Sequence, residues 1–282
     1  MEIYGPVGLR KFLSVTFSVT GNAFPYRVYE LDNRPVVAHA GASPSHPGLY
    51  IRKDSRGVFP LVDTPAFTIT AAPVRHSVTC YGYVFQEKTQ LGMLNIQKIK
   101  SLGVRSTNDL KRIKRGEPVF APDGSKIMPG DVLGPEKIGR KIAILGDTFD
   151  PTPIANLAAN ADVLVHEATL DESLRSEAVE KGHSTSGMAG EFARKIRARN
   201  LVLTHFSPRY DDHELTTLMQ EAAHTFQSTS IFAAKDHDVF ELKQPPRQLG
   251  ETDTNIEEDT SGAEERPAAV PVSEEPRESK KE

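Results

Sequence analysis

Three short runs rich in Ile, Leu and Val constrain this chain more than any other feature. They read KIAILGD, ADVLVHEATL and NLVLTHFSPRY within residues 141–210, and each ends on a group able to hold a metal or a proton: Asp147, His166 with Glu167, and His205. Continuous apolar runs separated by helical patterns predict buried parallel strands of an α/β sandwich. In such sheets functional groups collect at the carboxyl ends of the strands. One polar strand end is ordinary; three in succession mark a site. Between the second and third runs lies GHSTS, which adds His183.

The flanks look different. With 282 residues the chain admits one large domain, or a domain with an appendage. The hydrophobic share of 38% is low for a fully globular chain, and the deficit is local. Residues 245–282 are rich in Pro, Glu and Ser, with eleven acidic and five basic residues, a net of −6. They are predicted to be a disordered tail, since they cannot bury enough apolar surface to offset their ordering entropy. Cys80 is the only cysteine, which excludes an internal disulfide and points to a reducing compartment. The cytoplasm is the default location, with the nucleus and mitochondrion left open. No apolar run reaches the ~18 residues a membrane span needs, so no membrane partner is expected. The opening MEIYGPVGLRKFL lacks the pattern of a signal peptide and reads as strand, Gly5-Pro6 turn and helix. The natural fold is therefore expected to begin upstream of Met1.

Taken in order, the pattern predicts a helix over 8–20, a strand over 26–31 and an irregular stretch over 32–60, broken by Pro and Gly. His39 and His46 in that stretch read as solvated. Alternation over 67–71 and 81–86 predicts two strands around a bend holding His76. After Asp147 a short helix fits 154–159, and another fits 171–182 with Gly182 as its stop. Ser184, Thr185 or Ser186 can cap a helix over 188–199 that packs Met188, Phe192 and Ile196 into the core. A helix over 213–226 and a strand over 230–240 close the fold, leaving His213, His224 and His237 as structural or surface groups.

Charge is concentrated rather than spread. Residues 88–141 carry twelve Lys/Arg against five Asp/Glu, a net of +7, while the remainder of 1–244 is net −5. The densest cluster is KRIKR at 111–115. A charge run is usually a solvated face, but this concentration favours contact with nucleic acid or another polyanion. Lys98, Lys100, Lys111, Arg112, Lys114 and Arg115 are the candidates.

His76, Asp147 and His205 are residue types that bind Zn²⁺. A carboxylate can bridge two metals, and two metals about 3.5–4 Å apart suit phosphodiester hydrolysis because they stabilise both attacking and leaving oxygens. Glu167 orienting His183 would make a general acid for a leaving alkoxide. The plainer alternatives are that Glu167 caps a helix or pairs with an arginine, and that His76 is a hydrogen-bonded structural histidine.

The motifs HEAT at 166–169, HST at 183–185, Gly146-Asp147 and THFS-x-RY at 204–210 together resemble the ribonuclease Z family. These are zinc phosphodiesterases of the metallo-β-lactamase superfamily that process tRNA 3′ ends. The IYGPVGL opening, SVTCYGYVFQEK and the basic insertion are similar to the family's short form, and the resemblance covers roughly residues 2–240. It implies an α/β fold, the metallo-β-lactamase-like αββα sandwich, over residues 1–244, with 88–141 as a basic flexible arm that clamps tRNA. It implies that His76 ligates a first zinc, Asp147 bridges, His205 ligates a second zinc, and Glu167 with His183 transfers a proton. It further implies a homodimer, two Zn²⁺ per complete active site, and a precursor tRNA cut so that the 3′ trailer leaves a 3′-hydroxyl behind.

The sequence departs from the family in two places. The His-x-His-x-Asp-His motif that precedes the IYGP segment in the family has no counterpart here, so each metal keeps one histidine plus the shared Asp147. One sheet face should then lie uncovered, and zinc should be held loosely by these residues alone. In the arm, Arg105-Ser106-Thr107-Asn108 replaces a Gly-Pro pair. Two further readings follow: a non-catalytic tRNA-binding subunit or isoform acting with or against a full-length partner, and another phosphodiesterase of the same fold. Salt-sensitive tRNA binding without cleavage would mark the first. Full turnover after deletion of 88–141 would mark the second.

Overall fold

The chain opens with β1 (Glu2–Pro6), α1 (Leu9–Thr20) and β2 (Arg27–Asp32), close to the expected strand, helix and strand. This computed structural model describes residues 1–21, 24–32 and 49–242. His39, His46 and the acidic tail of 245–282 lie outside the described residues. β3 (Leu49–Arg52) joins β1 and β2 in a parallel three-stranded sheet of order β1-β2-β3. The stretch over 32–60 is thus not wholly irregular. A four-residue strand fits ahead of Gly57, and β4 (Phe59–Asp63) begins just after it.

β5 (Phe67–Val74) and β6 (Cys80–Glu87) form the expected antiparallel pair, each longer than its alternating stretch, with His76 in the turn between them. Residues 88–140 then leave the sheet and build α2 (Ile96–Ser101), α3 (Thr107–Ile113), β7 (Val119–Phe120), β8 (Lys126–Ile127) and α4 (Pro129–Val132). Ile99, Val104, Ile113, Val119, Ala121, Ile127 and Val132 give this basic segment an apolar cluster of its own. The chain returns through β9 (Lys141–Leu145), α5 (Ala155–Ala158), β10 (Val163–Glu167), α6 (Arg175–Lys181) and α7 (Ser186–Lys195). It finishes with β11 (Asn200–Thr204), α8 (Asp212–Phe226) and β12 (Ile231–Ala233). The strand expected over 230–240 stops at Ala233. A turn in which Lys235 N–H bonds the Asp238 carboxylate at 2.8 Å, with His237 at φ 71°, ends it.

The larger sheet has seven strands in the order β12-β11-β10-β9-β6-β5-β4. β9 to β12 are parallel, as the apolar runs predicted, and β4, β5, β6 and β9 are antiparallel. One face packs against α5, α7 and α8 through Leu164, Ile196, Leu201 and Leu203, none of them exposed. Each such side chain contributes roughly 1.5–3 kcal/mol on burial. The opposite face meets the small sheet where Phe59, Ala71 and Tyr81 pack on Leu31, and the Tyr81 hydroxyl donates to the Leu31 carbonyl at 3.0 Å. With α1 beyond the small sheet, the layers run α, β, β, α. Farther along that inner face, Ile142, Val163, Val165, Val202 and Phe232 line an apolar groove of about 510 Å³. Phe85, Ile144 and Phe232 remain 37–44% exposed there, the partly uncovered face that the sequence leads one to expect.

Candidate active site

Because β9, β10 and β11 run parallel, their carboxyl ends share one edge of the sheet. Asp147 follows β9 by two residues, Glu167 closes β10, and His205 is the first residue past β11. The turn after β5 brings His76 to the same edge, and the loop between α6 and α7 brings His183. The five residues to which the family resemblance assigns a metal or proton role, His76, Asp147, Glu167, His183 and His205, therefore converge. The ligand atoms of His76, Asp147 and His183 lie within 4.8 Å of one another, as do those of Glu167, His183 and His205. His205 Nε2 stands 3.6 Å from Asp147 Oδ2. The His183 ring sits between the others, 5.0 Å from His76 and stacked on His205 at 5.4 Å.

Glu167 is the hub of the polar network. Its side chain is 2% exposed. It accepts the Thr148 backbone N–H at 2.6 Å, the Thr169 hydroxyl, and His183 Nδ1–H at 3.1 Å. A carboxylate only accepts, so His183 carries its proton on Nδ1 and turns Nε2 to the cleft. His76 is fixed in the same way: its Nδ1 lies 2.7 Å from the Gly182 carbonyl, which also only accepts. Gly182 sits at φ 85°, and a Cβ there would stand 2.9 Å from His76 Nδ1, so glycine serves both the helix stop and the close approach. Thr169 Oγ1 also lies 2.9 Å from His205 Nδ1. His205 itself occupies the left-handed region at φ 55°, a backbone state that costs energy in a non-glycine residue and clusters at functional sites.

His166 does not join the site. Adjacent strand residues point to opposite faces, so as Glu167 turns to the cleft, His166 turns inward and packs on Phe192 at 5.9 Å. Burial pushes its pKa below the ordinary 6.5, and its Nε2 has no hydrogen-bond partner among the described residues. Cys80 was not expected here, yet its Sγ lies where a Cβ on Gly146 would come within 2.6 Å. Burial pushes the Cys80 thiol up, and the neighbouring Asp147 and Glu167 charges add to the shift. Thr148 and Thr169 were also missed as functional groups. Thr169 stands inside the HEAT motif, but nothing in the spacing says which way its hydroxyl points.

The donor chemistry suits zinc. Two imidazoles and a carboxylate converge, and His76 gives its second ring nitrogen to a backbone carbonyl, the arrangement that metal-bound histidines usually show. In the basic segment, Lys98, Lys100, Lys111, Lys114 and Arg115 are exposed. Arg112 is half-buried and held by Glu117 at 3.2 Å and the Pro118 carbonyl at 3.1 Å.

No family model matches the chain. Among curated proteins it is 35% identical to ribonuclease BN of Cronobacter sakazakii over 82% of this chain and 68% of that protein. It is 31% identical to ribonuclease Z of Streptococcus suis over 86% of this chain and 71% of that protein. The chain belongs to the ribonuclease Z family. The mouse zinc phosphodiesterase ELAC protein 1 is 41% identical over 74% of this chain and 63% of its own length. The crystal structure of human tRNase Z, short form, superposes with a TM-score of 0.53 at 31% identity, covering 87% of this chain and 68% of that one. The fold of this ribonuclease Z family member is the metallo-β-lactamase fold that its motifs led one to expect. The chain spans 63–71% of the length of these curated relatives. No helix among its described residues is long and apolar enough to cross a membrane.

Proposed function

We propose that this chain carries the active site of a zinc-dependent endoribonuclease that removes the 3′ trailer from precursor tRNA. The observation that carries the reading is the convergence of His76, Asp147, Glu167, His183 and His205 at one sheet edge. His76 and His205 would each ligate a metal and Asp147 would bridge. When bound, the zinc supplies Lewis-acid stabilisation of charge on the phosphodiester and an activated water. His183 is the proton donor. Glu167 holds its Nδ1–H, so Nε2 of the imidazolium faces the cleft and can give its proton to the departing 3′-oxygen, leaving a 3′-hydroxyl. The buried Glu167 carboxylate fixes the orientation of that ring.

The basic segment supports the substrate class. Its exposed lysines and Arg115 stand on a packed subdomain rooted between β6 and β9, suited to hold phosphates away from the cleft, in a homodimer for the partner's site. The test is incubation of purified protein with a precursor tRNA bearing a 3′ trailer, with zinc and with a chelator. Zinc-dependent release of the trailer and a 3′-hydroxyl product is expected. A protein that neither cleaves nor binds the precursor would overturn the proposal. A second reading rests on the donor count: with His76 and His205 on different metals and Asp147 shared, each metal has two of these ligands, fewer than the three protein ligands a catalytic zinc usually has. Salt-sensitive tRNA binding with no cleavage at any zinc concentration would favour this reading, a tRNA-binding subunit.

A further inference from the structure

His76 and His205 are anchored differently. The backbone carbonyl of Gly182 fixes the His76 ring, an acceptor that no side-chain substitution at another position removes. The inner nitrogen of His205 rests on a side chain, the Thr169 hydroxyl at 2.9 Å. That hydroxyl has a single proton, and it also contacts the Glu167 carboxylate. A carboxylate oxygen can only accept, so the Thr169 proton goes to Glu167 and its oxygen lone pairs are left for His205. His205 must then donate from Nδ1, which leaves the Nε2 lone pair facing Asp147 at 3.6 Å. With the opposite tautomer, Nδ1 and the Thr169 oxygen would meet lone pair to lone pair.

We infer that Thr169 is a positioning residue that sets the ring tautomer and orientation of His205 for metal binding and ties that ligand to Glu167. The inference rests on the metal reading of His205 given above. The side chain of His205 is 50% exposed, and besides the stacked His183 ring and Asp147 at 3.6 Å it meets the Thr169 hydroxyl, the one hydrogen-bond partner of its inner nitrogen among the described residues. The network then runs from Thr148 N–H to Glu167, from Thr169 O–H to Glu167, and from His205 Nδ1–H to Thr169. One carboxylate thereby orients both the proton donor, directly, and a metal ligand, through one hydroxyl. Partners of this kind typically change metal affinity by about 10–100-fold when removed.

The test combines ¹⁵N-histidine NMR of the zinc-free protein with zinc affinity by chelator competition, on wild type, Thr169→Val and Thr169→Ser. In wild type the His205 signals should be those of a ring protonated at Nδ1 and bare at Nε2. Thr169→Val should lose that signature and weaken zinc binding by about 10–100-fold. Thr169→Ser, which keeps the hydroxyl, should restore both. The His76 signature, held by the Gly182 carbonyl, should persist in all three and reports that the fold is intact. A Thr169→Val protein that keeps the Nδ1–H form of His205 would overturn the inference. So would a Thr169→Ser protein as impaired as Thr169→Val. If wild type takes up no zinc, the metal reading fails, while the tautomer result still decides the role of Thr169.

Discussion

Replacing Glu167 with alanine should cost the fold about 3 kcal/mol. The carboxylate is 2% exposed and takes Thr148 N–H at 2.6 Å, the Thr169 hydroxyl, and His183 Nδ1–H at 3.1 Å. Thr148 is fully buried, so its N–H would be stranded, at about 1–3 kcal/mol. The Thr169 hydroxyl is stranded less severely, because His205 remains beside it, and adds roughly 1 kcal/mol. His183 is 21% exposed and can turn to water, so its share is small. A loss of about 3 kcal/mol corresponds to a Tm drop of roughly 6–12 °C for a domain of this size. Glu167→Gln keeps an acceptor for Thr148 N–H and should lose only about 1 kcal/mol. Urea unfolding of wild type, Glu167→Gln and Glu167→Ala at unchanged m measures both values. An alanine variant within about 0.5 kcal/mol of wild type, the ordinary range for surface substitutions, would refute the hub. A glutamine variant as unstable as the alanine one would refute it too.

Four further outcomes are expected. In a cleavage-competent form, His183→Ala should retain zinc yet slow cleavage by about 10²–10⁴-fold, read by single-turnover kinetics. Neutralising Lys98, Lys100, Lys111, Lys114 and Arg115 should weaken tRNA binding and flatten the salt dependence by up to ~0.9 in slope for each phosphate that they neutralise; an unchanged slope would remove the segment from the interface. Gly182→Ala, at φ 85°, should lose about 1–2 kcal/mol from backbone strain alone and also displace His76, seen as a lowered Tm together with weaker zinc binding. Arg140 holds the Glu87 carboxyl at about 2, below its ordinary 4.5, at the root of the basic segment. The folded chain therefore resists a proton that the unfolded chain takes, and stability from this pair falls as pH drops from about 4.5 to about 2. The pair is more than a third exposed, so the effect is small; acid titration of wild type against Glu87→Gln should show it as the difference between the two curves.

The strand ends were legible because burial on both faces writes a parallel strand as a continuous apolar run, and whatever polar group follows stands at the sheet's edge. Asp147, Glu167 and His205 were found that way, and His76 from the bend between two alternating stretches. His166 was drawn in by adjacency and then excluded by the pleat, which sends neighbours to opposite faces. What could not be read were contacts between residues far apart in the chain. The Gly182 carbonyl reaching His76, Cys80 beneath Gly146, and Thr169 reaching His205 leave no trace in local spacing. β3 was lost among Pro and Gly because four residues are too few to show alternation. The basic segment revealed its charge but not its apolar cluster, whose members are single residues scattered from Ile99 to Val132.

The most direct test of the central claim is zinc content by elemental analysis after dialysis against a weak chelator, on wild type and Asp147→Ala. If His76, Asp147 and His205 form the metal site, wild type retains zinc and Asp147→Ala loses it. Equal zinc in the two proteins, or none in wild type, would contradict the account.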